Sequence, residues 1–187
     1  AGKGAIGNLA YELKMLQVMR PMILSDAVLA KIGTLHMVLD ALREVRIGRI
    51  FTDIPRDSSI ETVNRIAQEY RDYGCDGIVA VGGGSVLDTA KGVRLLIRNP
   101  ELNIKMEYIS QQLMPDVAIL DPKMTKTLPP RITASTGMDT LCHAIEAFSC
   151  LQKNPLSDAY AAQAIELVRD YLLKAVCHGY SKEARLA

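Results

Sequence analysis

The chain has 187 residues, with 22 Lys and Arg against 21 Asp and Glu, for a formal net charge of +1. So even a balance, with its basic residues scattered, offers no field for nucleic acid or an anionic membrane surface. The length allows one large domain or two small ones around a sizeable core, and no apolar run approaches the roughly eighteen residues of a membrane span. A soluble, cytoplasmic protein is expected.

Residues 5–16 pattern as an amphipathic helix, with Ile6, Leu9, Leu13 and Leu16 on one stripe. Residues 20–26 read as a strand ending in Ser25-Asp26, and residues 29–45 as a helix. A second strand over 47–53 leads into a helix that Ser58 and Glu61 open as a capping box, with Ile60, Val63, Ile66, Ala67 and Tyr70 on one face. Residues 77–81 form a short apolar run stopped by Gly82-Gly83-Gly84, which suits a strand buried on both faces. A helix follows, with Ser85 as its expected cap and Val86, Ala90, Val93 and Ile97 at helical spacing. Residues 115–121 read as another buried strand. Beyond Pro129-Pro130 the β signals stop, and residues 133–187 are helical in pattern, including a long helix from Ser157.

Strand, helix, strand, helix, strand, glycine turn, helix: this order argues for a doubly wound parallel sheet, an α/β domain over residues 1–129, followed by an all-helical domain over 130–187. Ligands of such a sheet lie at the carboxyl ends of its strands. At one end, Gly83 and Gly84 leave bare backbone N–H groups at a helix start, where the macrodipole favours an anion, so a phosphate is the expected occupant and tight packing the alternative. At another end Asp26 either accepts both ribose hydroxyls of an adenosine, which selects NAD over NADP, or simply caps the next helix.

Asp139 and His143 stand four apart, next to each other on one helix face. A carboxylate oxygen and an imidazole nitrogen so placed can share a divalent ion, iron or zinc, or form an ordinary surface pair. His36 and His178 are expected to be structural. Cys75, Cys142, Cys150 and Cys177 show no CxxC pair, which points to buried or half-buried free thiols. No residue stands out as a general acid or base.

Taken together, GGGSVLDTAKG at residues 82–92 and LMPDVAILDPKMTKTLPPRITASTGMDTLCHAIEAFSC at 113–150 closely resemble the iron-containing, or group III, alcohol dehydrogenases. The resemblance implies hydride transfer between NAD and a small alcohol or aldehyde, with a divalent metal as Lewis acid. It implies that Asp26 contacts ribose, that Gly83, Gly84 and Ser85 hold the pyrophosphate, and that Met124 lies near the adenine. Asp139 and His143 would be the first two of four metal ligands. Glycerol dehydrogenases and dehydroquinate synthases look like relatives with the same architecture, so an NAD-binding relative of that type is one alternative, and a non-catalytic nucleotide-binding fragment is the other.

The chain departs from that pattern in three places. It passes from Ile97-Arg98-Asn99-Pro100 to Ile104-Lys105-Met106 without the family's TTAGTGSE segment. It also carries Arg56-Asp57 where Asn-Pro is common, and neither His36 nor His178 matches the remaining ligands. A fragment or gapped form of a longer enzyme is therefore expected, inactive by itself, with a homo-oligomer left open.

Overall fold

Pro21–Leu24 (β1) lies at the centre of a parallel sheet, with Arg49–Phe51 (β2) on one side and Gly77–Ala80 (β3) on the other, in the order β2-β1-β3. The structure is a computed structural model that describes residues 1–57, 59–98 and 113–186. The described residues divide into two compact units, Ala1 with Lys3–Leu120 and Gly2 with Asp121–Ala187.

In the first unit all four β1 residues are buried. Met22 and Leu24 pack in one core with Phe51 of β2, with Ile66 and Ala67 of Ile60–Asp72 (α4), and with Val86 and Val93 of Gly84–Arg98 (α5). Ile23 is equally inaccessible and points the other way along the pleat, so both faces of the central strand are covered, as a doubly wound sheet requires. Leu9–Met15 (α1), Ala27–Lys31 (α2) and Thr34–Ala41 (α3) belong to the same unit, and α1 begins after a 3-10 turn over Ala5–Asn8. Asp76 fixes the entry to β1 by accepting from Met19 N at 2.8 Å and Arg20 N at 2.7 Å. Asp76→Ala is expected to lower the unfolding free energy by about 1–2 kcal/mol, read as a shift of the urea midpoint at constant slope.

The sequence pattern is corrected at several points. The expected single helix over 29–45 is broken at Gly33, whose φ of +86° is left-handed, and becomes α2 and α3. The cap of α4 is Ser59, whose hydroxyl accepts from Thr62 N at 3.2 Å, one residue beyond the expected Ser58-Glu61 box. Ser58 itself lies outside the described residues, as does the stretch where the TTAGTGSE segment is lacking. β3 is half-buried rather than sealed on both faces.

Residues 115–121 are not a strand. Val117 is 38% and Leu120 66% exposed. The apolar pattern is that of a buried strand, but a strand exists only with a ladder partner, and no described residue supplies one. Instead Arg94 tethers the stretch, donating to Met114 O at 2.8 Å and pairing with Asp116 at 3.4 Å.

The second unit holds a 3-10 turn over Pro122–Thr125, then Pro130–Ser149 (α6), Pro155–Cys177 (α7) and Lys182–Leu186 (α8). Its helical pattern is interrupted at 150–154 and 178–181. α7 starts earlier than Ser157: Asn154 caps it, accepting from Leu156 N and Ser157 N, while Ser157 Oγ accepts from Asn154 N in return. α6 and α7 pack closely at Gly137, where a Cβ would run into the Leu172 side chain. On α6 Ala144 is buried, whereas the large apolar side chains of Ile145 and Phe148 are exposed. Of the cysteines, Cys75 is buried, whereas Cys142, Cys150 and Cys177 are exposed free thiols, contrary to the expectation of buried or half-buried ones. No helix of the described residues is long and apolar enough to cross a membrane.

Candidate functional site

The strand order reverses at β1: the chain leaves it to one side for β2 and returns to the other side for β3. The crevice at the carboxyl ends of β1 and β3 is thus the topological switch point, where open α/β sheets bind ligands. Asp26 follows the first of these ends and Gly82-Gly83-Gly84 the second.

The carboxyl edge is laced together. Val81 N donates to Leu24 O at 2.8 Å, and Ser25 N donates to Phe51 O at 2.9 Å. The buried Ser25 hydroxyl donates to Val81 O at 2.9 Å. The Ser85 hydroxyl donates to the Arg56 carbonyl, which joins the start of α5 to the loop after β2.

The three glycines differ in what surrounds them. A Cβ on Gly82 would meet Val86 Cγ2 at 2.5 Å and Val86 Cβ at 2.7 Å, so this glycine lets the strand end sit against the helix. At Gly83 and Gly84 a Cβ would meet nothing within 4 Å. Both positions are open and exposed, and neither has a left-handed φ. The helix begins at Gly84 and Leu87 N donates to Gly83 O at 3.0 Å, so the amides before Leu87 are those that a helix start leaves without internal partners. Ser85 is therefore inside the first turn and is not the cap expected of it. Thr89 Oγ1 donates to Ser85 O at 2.7 Å.

Asp26 is half-buried and caps α2: its Oδ1 accepts from Val28 N and Leu29 N, both at 2.9 Å. Both alternatives drawn from the sequence are thus compatible in one side chain, since the cap engages Oδ1 and leaves Oδ2 without a partner among the described residues. Met124 is half-buried on the 3-10 turn of the second unit.

Asp139 and His143 stand on α6, with Asp139 Oδ2 and His143 Nδ1 3.8 Å apart and both side chains about 70% exposed. At that separation they share no hydrogen bond and stand within the range of an exposed surface pair. Two donors of this kind fit half of a divalent site, and among the described residues no group of three His, Cys, Asp or Glu comes together that could hold an ion. A half-open cavity of roughly 890 Å³ in the second unit is lined by Lys126, Leu128, Pro129, Cys177, His178 and Arg185 among others. It includes none of the expected site residues, and the Arg185 guanidinium at its wall donates to Thr125 O, Leu128 O, Gly179 O and Thr133 Oγ1.

Reading the sequence alone missed Ser25. Its only visible signal is a hydroxyl between a strand and an acid, while its partner lies 56 residues away.

Residues 1–104 match the family described as Iron-containing alcohol dehydrogenase, and residues 133–187 match Fe-containing alcohol dehydrogenase family, C-terminal. Alcohol dehydrogenase 4 of Schizosaccharomyces pombe is 31% identical over 226 residues, covering 98% of this chain and 54% of that protein. The NAD-dependent methanol dehydrogenase of Bacillus methanolicus is 30% identical over 228 residues, covering 100% of this chain and 60% of that protein. Among solved structures, sulfoacetaldehyde reductase from Bifidobacterium kashiwanohense in complex with NAD+ superposes with a TM-score of 0.88 at 27% identity, covering 98% of this chain and 60% of that one. The iron-containing alcohol dehydrogenase of Thermococcus thioreducens gives 0.89 at 27%, covering 99% and 60%. The chain thus spans between about half and three fifths of the relatives it matches. The aligned stretches of 226 and 228 residues also exceed the 187 of the chain, so the relatives carry residues inside the matched span that this chain lacks.

Proposed function

The chain belongs to the iron-containing alcohol dehydrogenase family, and from that premise we propose that the whole protein is an NAD-dependent oxidoreductase acting on a small alcohol or aldehyde. The observation that carries this is the open backbone at Gly83 and Gly84, where a Cβ would meet nothing within 4 Å, on the same sheet edge as Asp26. The amides of Gly83, Gly84 and Ser85 hold the diphosphate of NAD, aided by the positive end of α5. Asp26 Oδ2 accepts from the ribose hydroxyls, and its charge repels the extra phosphate of NADP. Because the cap bonds fix Oδ1, the carboxylate is oriented before the ligand arrives, which limits the ordering cost of binding. Met124 is assigned to the adenine on the family resemblance alone.

Asp139 and His143 contribute one oxygen and one nitrogen donor to a divalent ion, the remaining donors coming from outside the described residues. When bound, the dinucleotide would supply hydride chemistry and a divalent ion would supply Lewis acidity toward a substrate oxygen. With two donors, this chain by itself binds the dinucleotide without turnover.

Titration calorimetry of the chain with NAD, beside an NADH oxidation assay with short aldehydes in the presence of Zn2+ or Fe2+, tests this reading. Binding without oxidation is the expected result, and a folded chain that takes up no NAD sinks it. In the whole protein, Asp139→Ala and His143→Ala are each expected to abolish stoichiometric metal after dialysis while leaving NAD affinity intact. Metal retained at full occupancy in either variant removes that residue from the ligand set.

A further inference from the structure

Ser25 is completely buried, and both of its donors reach across strands. Its N–H donates to Phe51 O and its hydroxyl to Val81 O, each at 2.9 Å. The ladder between β1 and β3 ends at Leu24 and Ala80, and beyond it two loops would be free to separate. The Ser25 hydroxyl, with Val81 N on Leu24 O, adds one more rung. The residue after Ser25 is Asp26, and the residue after Val81 is Gly82. This hydroxyl therefore extends the pairing of the two chain segments to the residues directly before the acid and the glycine turn.

We propose that Ser25 is a positioning residue for dinucleotide recognition, setting the span between the ribose-binding carboxylate of Asp26 and the phosphate-binding amides of Gly83, Gly84 and Ser85, and with it the preference for NAD over NADP. The proposal rests on the reading of those two features given above. A ligand that touches both ends, such as ADP, gains from their correct spacing, because each contact holds the other in place. Adenosine or inorganic pyrophosphate touches one end and is indifferent to the span. A burial role alone would not distinguish these ligands.

The test is calorimetry on the full chain with ADP, adenosine, inorganic pyrophosphate, NAD and NADP, for the wild type and Ser25→Ala. The variant is expected to lose about tenfold in ADP affinity while each half-ligand changes by less than about twofold, a coupling of the size seen for groups sharing one hydrogen-bond network. The ratio of NAD to NADP affinity falls with it, and Ser25→Thr, which keeps the hydroxyl, restores both. Should Ser25→Ala not fold, Ser25→Cys, similar in size with a feeble donor, carries the same comparison. Equal losses for all three adenosine and phosphate ligands, or none for ADP, overturn the proposal while leaving the nucleotide reading standing. A wild type that binds ADP no better than adenosine removes both.

Discussion

Gly83→Ala and Gly84→Ala are expected to keep or slightly raise the melting temperature of the chain and to weaken NAD binding at least tenfold, a loss of about 1.4 kcal/mol or more. Gly82→Ala is expected to reverse the first of these effects. At Gly83 and Gly84 the added methyl meets nothing within 4 Å of the protein, and replacing glycine at an ordinary φ restricts the unfolded chain, which favours folding by about 0.4–1 kcal/mol. The same methyl occupies the volume a diphosphate needs in order to reach the amides. At Gly82 the methyl would lie 2.5 Å from Val86 Cγ2 and 2.7 Å from Val86 Cβ. Val86 is 1% exposed and, as a β-branched residue in a helix, is confined to essentially one rotamer. It cannot swing away, so the strand end and α5 must part, at about 1–3 kcal/mol. Thermal melts and NAD titrations on the three variants separate packing from ligand contact. If Gly83→Ala and Gly84→Ala bind NAD as the wild type does, the turn is not a phosphate site.

The second large effect concerns Asp26. Asp26→Asn is expected to leave stability within about 0.5 kcal/mol, because asparagine caps a helix as well as aspartate, and to lower NAD affinity by about 10–100-fold through loss of a charge-assisted hydrogen bond to the ribose. NADP affinity rises at the same time, since the repelling charge is gone. Asp26→Ala shows the same change in ligand preference but also loses the cap on Val28 N and Leu29 N, at about 1 kcal/mol. Affinity for both dinucleotides, measured beside urea melts, reads the two roles separately. An unchanged NAD to NADP ratio in Asp26→Asn would leave the carboxylate as a helix cap and nothing more.

Much of the first unit was legible because its signals are local. β1 is a run of apolar residues, the glycine turn interrupts a β-branched stretch, and Ile66 and Ala67 belong to the apolar stripe of α4 and are buried. What was not legible depended on neighbours. Gly33 inside a helical pattern carries no mark that distinguishes a tolerated glycine from a left-handed break. Val117 to Leu120 have the apolar content of a buried strand, yet whether such a run becomes one depends on an adjacent edge that no pattern in it encodes. Ser25 and Val81 are far apart in sequence, so a hydrogen bond between them follows only from the parallel register of β1 and β3. At the candidate site the sequence indicated Asp26 and the glycines correctly as groups at strand ends of one sheet. It did not show that Gly82 differs from its two neighbours, because that difference comes from the position of one valine side chain.

The bonds from Val28 N and Leu29 N to Asp26 Oδ1 bear on how such a protein could drift from one coenzyme to the other. A lineage abandoning the acid must still furnish an acceptor for those two amides. The permissible replacements are therefore asparagine, serine and threonine, whose side chains accept, while alanine or valine would fray α2 at its start. Codon neighbours of aspartate include both kinds, so selection for folding alone would filter which coenzyme-altering mutants survive long enough to be tested for activity.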